Sequence, residues 1–156
     1  QKVPLETSEC SVQTFVRIRK KAIVILTAIL LTVVLLGGAM AASFIAGHTE
    51  QFSGLVLLGA YSTADLSTSG TAVLSVYGSL DGVMNRQKYE KYKKNLPKDA
   101  EEYIIEGGCH AGFGMYGVQK GDGTPTVSSQ EQIRMTAEYI VSMIRSVEDF
   151  ERNLMP

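Results

Sequence analysis

TAVLSVYGSLDGVMNRQKYEKYKKNLPKDAEEYIIEGGCHAGF, residues 71–113, switches twice between two kinds of periodicity, with an acid at one break and a histidine at the other. Residues 72–77 are short, apolar and partly β-branched, which predicts a strand, and Gly78-Ser79-Leu80-Asp81-Gly82 breaks it. Over 85–96, Tyr89, Tyr92 and Leu96 recur at helical spacing among Lys and Arg, and Pro97 stops the helix. Residues 102–105 read as a second short strand, followed at once by Gly107-Gly108-Cys109-His110. Two parallel strands joined by a helix put Asp81 and His110 beyond the same, carboxyl, edge of a sheet. Active-site residues of open α/β sheets gather there. A carboxylate that orients an imidazole, which in turn activates a nucleophile, is the logic of hydrolytic triads.

Working outward, residues 54–58 (GLVLL) read as a buried-type strand that Gly59-Ala60-Tyr61-Ser62 ends at the same edge. Residues 62–70 form a Ser/Thr-rich loop, and 112–125 are glycine-dense and irregular. Ser128 with Glu131 is a capping-box pattern. Behind it, Ile133, Ala137, Ile140, Val141 and Ile144 suggest the apolar face of a closing helix on the sheet. The fold class expected is α/β, with about three parallel strands and flanking helices.

Upstream, residues 1–16 are polar and without periodicity, the composition of a disordered tail. Arg17, Arg19, Lys20 and Lys21 then precede a run with no charge over 22–47. A spanning helix needs about 20 predominantly apolar residues, and positive charge stays on the cytoplasmic side. Residues 17–35 therefore read as a membrane anchor with a basic flank, single-pass, carrying 36–156 on the extracytoplasmic side. The competing readings are a secretory signal with Ala39-Met40-Ala41 as its cleavage site and a buried helix of a soluble fold. Gln as first residue hints at processing or a fragment.

The net charge of −1 offers no attraction to nucleic acid. No zinc spacing exists, Cys10 and Cys109 flank the apolar run on opposite sides, and His48 and His110 are far apart, so no metal is expected. Gly112 to Gly117 spells G-x-G-x-x-G, but a dinucleotide site needs those glycines to open a helix. Here another glycine-rich loop follows, and no cofactor is expected.

At these residues the chain resembles the α/β-hydrolase family, whose order is nucleophile on a G-x-S-x-G elbow, acid, histidine. It is most similar to the membrane-anchored, fold-5 type. The resemblance implies that Asp81 is the acid after the penultimate strand and His110 the histidine after the last. Leu36-Gly37-Gly38-Ala39-Met40-Ala41-Ala42 resembles the tail of an elbow and its helix. The serine position is then Leu35, preceded by Val33 and Val34 where Gly-His is expected. The likeness thus covers the carboxyl half of such an enzyme, with two members of a triad and no nucleophile, as an internal deletion or mis-assembled gene would leave.

What the resemblance implies is hydrolysis of an ester-type or related acyl bond in a small-molecule substrate. In that scheme serine attacks, His110 acts as base then acid, and Asp81 sets its tautomer. The bland alternatives are specific. Asp81 alone suits a turn or helix cap, and His110 alone a loop. Cys109 adjoins His110 too closely to be activated by it, Ser62 and Ser79 lack an elbow, and His48 reads as a surface residue. Lys88, Lys91, Lys93 and Lys94 read as a solvated helix face, with anionic lipid as a weaker possibility. Three functional readings stand: a membrane-anchored hydrolase relative that keeps acid and histidine without the serine, a non-catalytic truncated or degenerate membrane protein, and reconstitution with a separately encoded amino-terminal half.

Overall fold

A computed structural model describes residues 37–115 and 117–154. The tail 1–16 and the anchor 17–35 expected from sequence lie outside them. Among the described residues no helix is long and apolar enough to cross a membrane.

Three parallel strands form one sheet in the order β1 (Gly54–Leu58), β2 (Ala72–Gly78), β3 (Glu101–Ile105). Gly54 pairs with Ala72 and Leu58 with Val76 across the first ladder, and Leu74 with Glu101 and Gly78 with Ile105 across the second. Helix α1 (Gly37–Ala46) precedes β1, α2 (Arg86–Tyr92) links β2 to β3, and α3 (Ser129–Leu154) closes the chain.

Because successive strand residues face opposite ways, each strand serves two cores. Leu55, Leu57 and Val73 meet Ala41, Ala42 and Ile45 of α1, with Leu66 and Leu96. Val56, Leu74, Val76 and Ile105 meet Met143 of α3, flanked by Tyr103, Tyr139 and Ile140. The result is a layered α/β/α partial sheet. Strands buried on both faces read as near-continuous apolar runs, which is why GLVLL and AVLSVY were recognisable.

Residues 37–46 form α1, whose Ala41, Ala42 and Ile45 are buried against the sheet. Three expectations change. The helix expected over 85–96 is shorter. Asn85 caps it, its side chain accepting from the Lys88 amide at 2.8 Å, and residues Lys93–Asn95 tighten into a 3₁₀ turn. Leu96 is extended (φ −88°, ψ 154°), as the residue before a proline prefers.

The face of α3 is also rotated from the one read from its apolar residues. Gln132, Thr136 and Met143 are buried and Met135, Tyr139 and Ile140 pack beside them, whereas Ile133 and Val141 are exposed. Two polar residues hold this face inward because both are satisfied there. Thr136 Oγ1 donates to the Gln132 carbonyl at 2.7 Å, and Gln132 Nε2 donates to the Cys109 carbonyl at 2.7 Å. Only half of the capping box forms: Ser128 Oγ accepts from the Glu131 amide at 3.2 Å, while the Glu131 carboxylate pairs with Arg134.

Candidate active site

The carboxyl ends of all three strands meet at one point. β1 stops at Gly59, whose φ of +56° is open to glycine and strained for other residues. Its N–H donates to the Val76 carbonyl at 2.8 Å. A Cβ on Gly59 would stand 2.7 Å from both Asp81 Oδ2 and His110 Nδ1. The end of β1 is therefore the floor beneath an acid and an imidazole delivered by the other two strands.

Asp81 follows β2 in a tight turn, and its side chain is fully buried. Its Oδ1 accepts from the amides of Val83 and Met84 at 3.0 and 2.8 Å, the turn-capping role its residue type alone suggests. Its Oδ2 lies 2.9 Å from His110 Nδ1. The turn cap and the imidazole contact are thus made by different oxygens of one carboxylate. With the acid ionised, Nδ1 carries the proton and Nε2 is the ring nitrogen left for chemistry.

The two turns are bound to each other through backbone. Leu80 N–H donates to the Gly108 carbonyl at 2.9 Å, and Ser79 N–H to the Ile105 carbonyl at 3.0 Å. A Cβ on Gly78 would lie 2.3 Å from the Gly108 carbonyl, so these turns close only without a side chain there. Behind His110, Gln132 Oε1 accepts from the Cys109 amide at 3.1 Å, fastening the histidine turn to α3.

The hydrogen bond to Asp81 raises the affinity of His110 for its proton; burial opposes this, and the charges of Asp81 and Asp122 reinforce it. Burial pushes the Cys109 thiol up. A buried thiol held protonated is inert as a nucleophile, so Cys109 packs the turn. Ser62 is buried with Oγ donating to the Ala64 carbonyl at 2.8 Å. Ser79 Oγ donates to Glu106 at 3.1 Å and accepts from the Gly107 amide at 2.8 Å. Neither serine is set as a partner for His110.

The first turn of α1 lies at this same edge, since a Cβ on Gly38 would meet the Ala60 side chain at 2.3 Å. Leu35, at the serine position of the resembled pattern, lies just before α1 and outside the described residues. Leu80, Val83, Met115 and Val118, from the acid turn and the loop after His110, are exposed apolar residues. The G-x-G-x-x-G run opens no helix: Ala111–Phe113 is a single 3₁₀ turn, and Met115 takes φ 54°. His48 caps the end of α1 by bonding the Phe44 carbonyl through Nδ1 at 2.8 Å. Among the described residues no group of three or more His, Cys, Asp or Glu side chains could hold a metal ion.

Two residues of this edge escaped the sequence reading. Gln132 sits in what looked like the polar flank of a helix start. Asp122, between Gly121 and Gly123, had the chemistry of a loop residue, yet its carboxylate receives amides from both turns. No local pattern announces either contact, because both join segments distant in sequence.

Parallel strands that deliver an acid and a histidine to one carboxyl edge define an α/β protein whose Asp81 and His110 meet there. A family model described as the alpha/beta hydrolase family matches residues 20–134, and the chain belongs to that family. Neither the curated proteins nor the solved structures provide a match.

Proposed function

We propose that Asp81 and His110 are the acid and the base of a hydrolytic relay acting on an ester-type or related acyl bond. The observation that carries this reading is the 2.9 Å contact between His110 Nδ1 and a fully buried Asp81 carboxylate, at the edge where α1 begins. Nε2 would take the proton of a nucleophilic hydroxyl as its oxygen bonds to the acyl carbon, then return that proton to the leaving group. The exposed Leu80, Val83, Met115 and Val118 suit a substrate with an apolar acyl or alkyl part.

Leu35 stands at the serine position of the resembled pattern, and among the described residues Ser62 and Ser79, the two serines near this edge, are engaged elsewhere. In this reading the hydroxyl comes from a partner polypeptide bearing a G-x-S-x-G elbow. The test is to purify the full chain from its native source under mild conditions and treat the preparation with a serine-directed fluorophosphonate. A labelled, co-purifying elbow protein whose labelling is lost with His110→Ala would support the relay. Leu35 specifically favours a second reading, a non-catalytic membrane protein; a preparation in which nothing labels in a His110-dependent way would support that one instead.

For localisation we propose attachment through residues 17–35, with the carboxyl-terminal part extracytoplasmic. Because α1 is committed to the sheet, the uncharged run left to the bilayer, 22–36, is shorter than the about 20 residues of an ordinary span. Arg17, Arg19, Lys20 and Lys21 would lengthen it by lying along the interface with their charges in the headgroups. Resistance of the full chain to alkaline extraction from membranes checks this; release with the peripheral proteins would refute it.

A further inference from the structure

The loop after His110 returns to the site with a second carboxylate. Asp122 Oδ1 accepts from the amides of Gly82 and His110, each at 3.1 Å, and Oδ2 accepts from the Ala111 amide at 2.8 Å. Gly82 belongs to the turn that holds Asp81; His110 and Ala111 belong to the turn after β3. One carboxylate therefore bridges the two segments that must agree for the acid to meet the imidazole. The loop is seated so closely that a Cβ on Gly82 would lie 2.1 Å from the Gly121 carbonyl, and one on Gly123 2.1 Å from the Leu80 carbonyl. The Gly123 N–H completes the seam by donating to the Leu80 carbonyl at 3.1 Å.

We infer that Asp122 is a positioning residue for His110, a clamp that fixes the backbone of the histidine turn against the acid turn so that Nδ1 stays on Asp81. The inference deepens the relay proposed above and rests on it for its purpose. Its chemistry is that of an ionised carboxylate: four converging N–H donors, the Gly123 amide at 3.0 Å being the fourth, need acceptor oxygens on both branches. Asparagine offers one oxygen and turns an NH₂ toward a donor. Burial pushes the Asp122 carboxyl up, but the amides of Ala111, His110 and Gly82 outweigh it and hold it below the usual carboxylate range. The charged groups facing His110 are Asp81 from the β2 turn and Asp122 from this loop, with the Cys109 thiol adjacent in sequence and neutral Gln132 behind from α3.

The test reads the imidazole directly and needs no turnover. The full chain is prepared in detergent micelles and the ring nitrogens of His110 are followed by NMR against pH, with His48 as internal control. In Asp122→Asn, the His110 midpoint should fall by about half a pH unit or more, and the share of its neutral form protonated at Nδ1 should drop, while His48 is unmoved. A lower Tm with the His110 midpoint and tautomer unchanged would mean that Asp122 only stabilises the loop, and would overturn the inference. Should Asp122→Asn fail to fold, the unaltered protein still decides. The amide shifts of Gly82, His110 and Ala111 should titrate together on one acidic midpoint, and separate midpoints would overturn the clamp. Failure of the relay itself shows differently, as a His110 midpoint in the unaltered protein that Asp81→Asn does not lower.

Discussion

Two carboxylates on this sheet each gather several donors, and they differ in what those donors can do. Asp81, at the carboxyl edge, bonds two amides and one imidazole. Glu102, on β3, accepts from Tyr77 Oη at 2.7 Å and Tyr89 Oη at 2.9 Å, and pairs with Lys93. Tyr89 in turn meets Ser75 Oγ at 3.1 Å. Burial, reinforced by Glu102, pushes Tyr77 up to about 12 and Tyr89 further in the same direction. Around Glu102, then, every partner keeps its proton across the accessible pH range, and the cluster works as a pin between β2, α2 and β3. Around Asp81 one partner is a histidine, the side chain whose charge changes near neutrality. The same kind of hydrogen-bonded carboxylate sits among groups that keep their protons in one place and beside an imidazole in the other, because of its partner.

The sharpest way to break that contrast is at the floor of the site. Gly59→Val adds a side chain where φ is +56° and where Asp81 Oδ2 and His110 Nδ1 would each be 2.7 Å away. Backbone strain and overpacking together should cost about 3 kcal/mol or more in urea unfolding, with loss of the low-field Nδ1 proton signal. Next in size is Asp81→Asn, which keeps one acceptor for the turn amides but sets an NH₂ against the imidazole. We expect a loss of about 2 kcal/mol and a lower His110 midpoint by NMR.

Glu102→Gln should cost less, about 1 kcal/mol, since the pair with Lys93 is partly solvated and the amide oxygen still accepts from the tyrosines. It should leave His110 titration where it was. A moved His110 would erase the distinction between the two carboxylates.

The smallest effect is the pH dependence of stability. The protonated state of His110 is favoured in the folded protein, principally by its bond to Asp81. The stabilisation is therefore fully present below the ordinary histidine value of 6.5 and is lost as pH rises through the higher folded value. Urea midpoints should decline across that interval, and Asp81→Asn should flatten the decline.

The acid and the histidine were legible because each follows a strand that its neighbours announce. Residues 72–77 and 102–105 read as strands, and their carboxyl ends lie on one edge by the geometry of a parallel crossover. Helix α3 was legible as a helix and misread in orientation. Gln132 and Thr136 look like surface residues until their hydrogen bonds to Cys109 and along the helix are seen. Composition alone does not mark where the apolar run gives way to residues 37–46, since an uncharged apolar helix suits either solvent. Packing of Ala41, Ala42 and Ile45 against Leu55 and Leu57 assigns it to the sheet.

Local pattern was enough for the strands, their turns, the order acid then histidine, and the lack of a serine at residue 35, since periodicity and turn chemistry act over a few neighbouring residues. The distances from acid to imidazole, the glycine floor from β1 and the Asp122 bridge needed the folded chain. They join residues from separate strands and loops, and a hydrogen bond across such a separation leaves no spacing in the sequence to read.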